Sequence, residues 1–80
     1  MSKIIPKGEE LERSRILAGM TVQQMAARAS VPASSIVRAE KGNSVTVTTA
    51  TGICKALDRT FDDLFQIVRA GGSNNVREGV

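Results

Sequence analysis

Few side chains of this 80-residue chain could take part in catalysis. The sequence has no histidine and a single cysteine, Cys54, so it lacks both a Cys/His zinc cluster and a nucleophile activated by a histidine base. It contains no Walker-type glycine loop, and no two carboxylates are spaced in a way that indicates acid–base catalysis. The composition therefore predicts a binding protein and not an enzyme, with no metal and no cofactor.

Positive charge is the second chemical feature of the sequence. The 11 Lys and Arg residues exceed the 8 Asp and Glu residues, which gives a net charge of +3 and a pI near 9.6. Between Leu11 and Arg59 the excess is larger, because seven basic residues stand against three acidic ones, a difference of +4. This distribution favours an anionic partner such as nucleic acid.

The sequence also limits where the protein is expected to act. A lone cysteine excludes an internal disulfide, and no apolar run approaches the roughly 18 residues that a membrane-spanning helix needs. The first six residues offer no apolar segment long enough for a signal peptide. We therefore expect a cytoplasmic protein with no membrane partner.

Two helices separated by a short break are predicted in the middle of the chain. Thr21 and Gln24 have the spacing of a capping box, and the apolar residues that follow predict a helix over Val22–Ala29. The next three residues interrupt it, because Pro32 fixes its own φ and favours an extended residue before it. A further helix is predicted over Ala33–Glu40. In a helix-turn-helix, the first helix crosses the DNA backbone and the second presents its exposed side chains to base edges.

Further helices are predicted on both sides of this pair. Residues 9–18 form a helix that Gly19 ends. Residues 47–57 have apolar side chains at helical spacing with Thr46 as a cap, although the alternation of residues 45–49 by itself predicts a strand. Thr60 and Asp63 repeat the capping pattern before a fifth helix that reaches Val68.

The predicted fold class is all-α, a compact five-helix bundle that contains the helix-turn-helix. Residues 1–8 are expected to be an N-terminal arm, residues 9–70 the folded domain, and residues 71–80 a disordered tail with too little apolar content to become ordered. The side chains assigned first to the core, and not to a ligand site, are Met20, Met25, Cys54, Phe61 and Phe65.

Several separated motifs resemble one known family. They are Gly19-Met-Thr-Val-Gln-Gln-Met-Ala26, Val31-Pro-Ala-Ser-Ser-Ile36, Glu40-Lys-Gly42 and the stretch from Leu57 to Leu64. Over residues 11–64 the chain resembles the phage repressor and Cro family of XRE-type helix-turn-helix proteins. The resemblance implies a lambda-repressor-like domain, encoded by a bacterium or phage, that regulates transcription as a repressor or autoregulator. It also implies binding of a homodimer to a short inverted repeat in double-stranded DNA.

The resemblance assigns roles to individual residues. It implies a structural ion pair between Arg15 and Glu40. The residues that match base-contacting positions are Ala33, Ser34, Ser35, Val37 and Arg38. The residues that match phosphate-contacting positions are Thr21, Gln23, Lys41, Asn43, Ser44 and Thr46. Among the base-contact candidates only Arg38 offers a strongly directional bond, to N7 and O6 of guanine, and a phosphate contact is its alternative role.

The chain departs from the family pattern at two places. Val22 stands where many members carry a glutamine that bonds to phosphate, which leaves Thr21 to supply that bond or to act only as a cap. The loop after the third helix is short and lacks a proline near Val45. Its path, and therefore which of its polar groups meet DNA, is left open by the sequence.

Two other functions remain alternatives at this stage. Some relatives act as antitoxins or adaptors, and the apolar residues Phe65, Ile67 and Val68 could form either the dimer interface or a docking surface for a toxin or another regulator. A protein in which charge alone dominates would bind nucleic acid without sequence preference.

Overall fold

A computed structural model describes residues 2–69 of the chain. Five helices lie between two short strands in this part of the protein. The elements are β1 (Ser2–Pro6), α1 (Gly8–Leu17), α2 (Val22–Ala29), α3 (Ala33–Glu40), α4 (Val47–Leu57), α5 (Phe61–Leu64) and β2 (Phe65–Arg69). The predicted bounds of α2, α3 and α4 are confirmed, and α1 begins and ends one residue earlier than predicted.

Side-chain caps explain why three of the helices begin where they do. The hydroxyls of Thr21 and Thr60 each accept a bond from the backbone N–H three residues later, and each is part of a complete capping box. Thr46 accepts the same bond from the N–H of Thr49, so the helix prevails over the strand that the alternation of residues 45–49 predicts. At their C-terminal ends, α2 and α4 are closed by left-handed residues, Ser30 and Asp58.

The core lies where the five helices and β2 meet, and its largest fully buried side chains are Leu11, Met25, Ile36, Ile53, Leu64 and Phe65. Helices α2 and α4 approach closely because position 52 has no side chain. A Cβ on Gly52 would collide with the carbonyl oxygen of Ala29. The glycine inside α4 therefore permits close packing of the two helices.

The two ends of the described chain differ from the prediction. The expected arm contains β1, and the expected fifth helix stops at Leu64, after which the chain becomes extended as β2. β1 and β2 pair antiparallel from Ser2 opposite Arg69 to Pro6 opposite Phe65. β-Branched residues in both segments favour strands, and pairing supplies their backbone hydrogen bonds. The prediction of an all-α fold is thus correct for the bundle and wrong for this terminal sheet.

The sheet is attached to the bundle at several points. The N–H of Val45 donates to the carbonyl of Ile4, which forms an isolated bridge on the outer side of β1. Beyond the other end of the ladder, the N–H of Lys7 donates to the carbonyl of Leu64. Ile4 packs against the core. The predicted tail at residues 71–80 lies outside the described residues, and no helix within the described part is long and apolar enough to cross a membrane.

Candidate nucleic-acid interface

The connection between α2 and α3 is a tight, defined turn. Ser30 adopts a left-handed conformation with φ 59°, and the N–H of Val31 donates to the carbonyl of Ala26 at 3.0 Å. Pro32 then adopts φ −63° and ψ 149°, which places it immediately before the first turn of α3. The local sequence therefore fixes the angle between the two helices, as a helix-turn-helix requires.

Helix α3 has one buried side and one exposed side. Ile36 and Ala39 are fully buried, whereas Ser34, Val37 and Arg38 are exposed. At about 3.6 residues per turn, these three exposed positions share one face of the helix. Ala33 and Ser35, which are partly buried, flank that face. The predicted base-contacting residues thus lie on and beside a single exposed surface.

The C-terminal end of α3 is held by an ion pair with α1. Nε of Arg15 donates to Oε2 of Glu40 at 2.6 Å, and Nη2 donates to Oε1 at 3.2 Å. Nη1 of the same guanidinium donates to the carbonyl of Met20, in the loop before α2. Both side chains are only 12% exposed, and the hydrogen bond to Glu40 raises the pKa of Arg15. The structure brings together the two residues for which the resemblance implied a pairing.

A second contact holds the same end of α3. Gly8, the first residue of α1, lies against the carbonyl of Glu40, and a Cβ at position 8 would collide with that oxygen. This glycine lay within the predicted arm, and nothing in the sequence indicated its contact with α3. The C-terminal end of α3 is therefore attached to α1 at two residues, Gly8 and Arg15, which lie about two helical turns apart.

A shallow cleft of about 280 Å³ lies beside the exposed face of α3. Its lining joins two residues of α3 to the loop before α4 and to the first turn of α4, and consists of Ser35, Arg38, Ser44, Val45, Thr46 and Thr49. Candidate base-contacting and phosphate-contacting residues from separate segments thus meet at one concave surface.

Thr49 is the polar residue of this cleft that the sequence did not lead us to expect. Its side-chain oxygen lies 3.1 Å from that of Thr46, and its N–H donates to the same Thr46 oxygen at 3.2 Å. Its spacing of three residues from the predicted cap is the signal that could have identified it, because the third residue of a helix lies beside the cap.

The loop residues differ in how available their polar groups are. Asn43 is turned towards α3, since its backbone N–H and its Nδ2 both donate to the carbonyl of Arg38. Lys41 and Ser44 are exposed. The two loop residues therefore present polar side chains to solvent, whereas the Asn43 amide closes the end of α3.

The start of α2 presents a second set of polar groups. The Thr21 hydroxyl accepts from the N–H of Gln24 at 3.1 Å, and Oε1 of Gln24 accepts from the N–H of Thr21 at 2.9 Å. A hydroxyl that accepts a bond keeps its own hydrogen for donation. Gln23 is exposed on the first turn. Thr21 can therefore cap α2 and donate to an anion at the same time.

The remaining residues of interest fall outside this surface. Phe65 is buried and lies 5.4 Å from Phe61 between ring centroids, whereas Ile67 and Val68 are exposed on β2. Of the three residues predicted for a dimer interface, Phe65 is therefore part of the core, and only Ile67 and Val68 are exposed to a partner. Cys54 is partly buried beside the core, and burial raises the pKa of its thiol. Within residues 2–69, no three His, Cys, Asp or Glu side chains converge as metal ligands would.

Comparison with known proteins identifies the family to which a chain with these helices belongs. A family model described as Helix-turn-helix matches residues 11–64, which is more than half of the chain. The chain belongs to this family, in its XRE type. No curated protein sequence gives a significant match.

A solved structure shares the fold of this helix-turn-helix protein. The crystal structure of the transcriptional regulator VanUg superposes with a TM-score of 0.64 and 20% sequence identity, over 82% of this chain and 88% of that one. At this identity the likeness shows the fold. Membership of the helix-turn-helix family makes the protein a DNA-binding regulator.

Proposed function

We propose that this helix-turn-helix protein binds a short inverted-repeat operator as a homodimer in the cytoplasm and acts as a repressor or autoregulator. In this proposal, α3 enters the major groove. The observation that carries it is the exposed face of α3, which lies beside a cleft shared with the loop before α4. A helix with one solvent-facing side, docked on a second helix, has the shape that a major groove admits.

The proposed contacts follow from side-chain chemistry. Arg38 donates two parallel bonds to N7 and O6 of a guanine, and Ser34 bonds a neighbouring base edge. Val37 and Ala33 pack against thymine methyl groups, and Ser35 supplements the polar contacts.

The backbone of DNA is contacted from two sides of α3 in this proposal. Thr21 and Gln23 meet one phosphate stretch, where the N–H groups at the start of α2 add a positive partial charge. The second set follows α3 and consists of Lys41, Asn43, Ser44 and Thr46. Asn43 acts there chiefly by holding the loop, since its amide is bonded to Arg38. These contacts position the protein and carry little sequence information.

Selection of binding sites from random double-stranded DNA is the direct test of this function. We expect an inverted repeat whose half-sites share a guanine. Arg38→Ala should then weaken binding by about 1–3 kcal/mol and relax the preference at that guanine. Arg28→Ala is the matched control, because Arg28 is an exposed arginine at the end of α2, beside the first turn of α4, and off the α3 face.

Two results would contradict the assignment of α3. The first is that neither Arg38→Ala nor Ser34→Ala changes affinity for the selected site. The second is that Arg38→Ala weakens binding to all sequences equally, which would make Arg38 a phosphate contact. If no sequence is selected and binding falls steeply between about 50 and 200 mM salt, the protein is a non-specific binder.

A second candidate function is that of an antitoxin or adaptor whose main partner is another protein. The exposed apolar side chains of Ile67 and Val68 on β2 favour it. In the first function these β2 side chains lie between two copies of the chain, whereas in the second they bind a different protein. Measuring whether the purified protein forms a dimer on its own therefore distinguishes the two functions.

A further inference from the structure

The outer edge of β2 is the one long strand edge that the described residues leave uncovered. At the opposite edge of the sheet, Val45 donates its N–H to the carbonyl of Ile4 and so covers part of the outer edge of β1. Because that carbonyl points away from β2, Ile4 and its partner Ile67 form a non-hydrogen-bonded pair. The N–H and C=O of Ile67 therefore point outward, and within residues 2–69 no backbone group bonds to them.

β2 also lacks the features with which natural proteins protect an edge. Its pairing with β1 runs without a bulge, it contains no proline, and its one charged residue, Arg69, is at the end. Its central residue Ile67 and the following Val68 are apolar and exposed, 65% for Ile67 and 43% for Val68. Such an edge favours pairing with another strand.

We propose that β2 pairs antiparallel with β2 of a second copy of this chain, with Ile67 opposite Ile67 across the two-fold axis. The pairing joins two sheets into one four-stranded sheet in the order β1, β2, β2, β1. This interface rests on the proposed function in one respect, since it supplies the two-fold symmetry that an inverted repeat requires.

A second copy fits the edge because β2 is complementary to itself. In the register centred on Ile67, Gln66 lies opposite Val68 and Phe65 lies opposite Arg69, so no two like charges face each other. The two Ile67 side chains meet on the face of the sheet that already carries Ile4. The apolar row of one copy thus continues into the other.

Backbone bonding selects this register over its neighbours. Ile67 exchanges both of its outward bonds with Ile67 of the second copy, and each Arg69 N–H donates to a Phe65 carbonyl. A register centred on Gln66 would need the N–H of Phe65, which already donates to the carbonyl of Phe61. A register centred on Val68 would place Ile67 opposite Arg69, so the two Ile67 side chains would no longer face each other.

A charge introduced at position 67 tests the interface in the full chain without DNA. We expect sedimentation equilibrium to show a dimer for the wild type. Ile67→Lys and Ile67→Glu should each raise the dimer dissociation constant about tenfold or more, because like charges then face each other. An equimolar mixture of the two variants should restore a dimer. Val47→Lys is the matched control, since Val47 is 69% exposed on α4.

Single cysteines test the register. In an antiparallel hydrogen-bonded pair the Cα atoms are about 5.5 Å apart, which a disulfide can span. Under mild oxidation Ile67→Cys should crosslink to itself, whereas Gln66→Cys and Val68→Cys should crosslink only when mixed. The wild type controls for crosslinks through Cys54.

Each other outcome overturns the proposal. A wild-type monomer at all concentrations, or a dimer that Ile67→Lys leaves intact, removes the interface. Self-crosslinking at position 68 removes the register. Circular dichroism and urea unfolding distinguish a lost interface from a lost fold. Failure of the dimer leaves α3 free to select a single half-site, and failure of site selection leaves the dimer measurable, so the two proposals fail separately.

Discussion

Two arginines tie α1 and its surroundings together on different sides of the bundle. Arg15 makes three hydrogen bonds, to Glu40 and Met20, and its side chain is 12% exposed. Arg59 bonds Ser14, Glu10 and Asp63 and is 35% exposed. The first cluster fixes the end of α3, and the second joins α1 to the start of α5. The comparison teaches that the recognition side is held by a desolvated pair, whereas the terminal side is held by a solvated network.

The energetic consequence is opposite for the two clusters when a partner is lost. Removal of one member of a desolvated pair leaves the other charge without compensation, which is costly. In the half-buried network around Arg59, water can compensate for most of a lost partner. The recognition side should therefore tolerate substitution less than the terminal side does.

Arg15→Ala gives the largest expected effect. It should lower the free energy of unfolding by about 3 kcal/mol, because it strands Glu40 beside the end of α3. Arg59→Ala, the matched control on the terminal side, should cost about 1 kcal/mol or less. Urea unfolding of both variants measures the difference. Equal losses would show that the two clusters do not differ in solvation.

Gly8→Ala tests the contact between the start of α1 and the end of α3, and its effect should be second in size. The added Cβ would collide with the carbonyl of Glu40, so α1 and α3 must move apart at a cost of about 2 kcal/mol. Glu12→Ala, at an exposed position of α1, is the control and should stay within about 0.5 kcal/mol. Thermal or urea unfolding measures both. A neutral Gly8→Ala would mean that the two helices do not touch at this point.

The two capping boxes provide a matched pair across the two sides. Thr21→Ala and Thr60→Ala should each reduce stability by about 1 kcal/mol through loss of a helix cap. Only Thr21→Ala should also weaken DNA binding, since Thr21 is the one of the two proposed to meet phosphate. Urea unfolding and a fluorescence titration with the selected operator measure the two effects. If both variants bind DNA as the wild type does, Thr21 is a cap alone.

Asp63 gives the smallest effect and a test by pH. Its hydrogen bonds with Thr60 and, less strongly, its bond from Arg59 lower its pKa. A group with a lowered folded-state pKa stabilises the protein above its unfolded pKa of about 3.9, and this contribution is lost as the pH falls through the folded value. The stability difference between wild type and Asp63→Asn should therefore be constant near neutral pH and shrink below about pH 4. Urea midpoints from pH 2 to about 7 measure it, and a difference independent of pH would exclude the charge of Asp63 as the cause.

The fold of the bundle could be predicted because its signals are local. Thr21, Thr46 and Thr60 each stand one residue before a helix and cap it with their own hydroxyl. Pro32 separates α2 from α3 in the same direct way. The pairing of Arg15 with Glu40 is not local, and only the resemblance to a family indicated it.

The terminal sheet and the details of the cleft could not be predicted in the same way. Apolar residues at positions 61, 64, 65 and 68 fit a helix as well as they fit the observed turn and strand. The choice depends on whether residues 4 and 5 lie beside them, and periodicity carries no such information. Thr49 likewise joined the cleft only when the first turn of α4 came to lie near α3.

The sequence by itself determined the helix-turn-helix, its caps, the exposed face of α3 and the basic character of the chain, because each depends on residues a few positions apart. The tertiary structure decided that Gly8 would meet Glu40, that Val45 would cover one edge of the sheet, and that the other edge, on β2, would stay uncovered within residues 2–69. These features join segments that are distant in the chain. The physical reason is that backbone pairing and close packing are decided by which surfaces meet after folding.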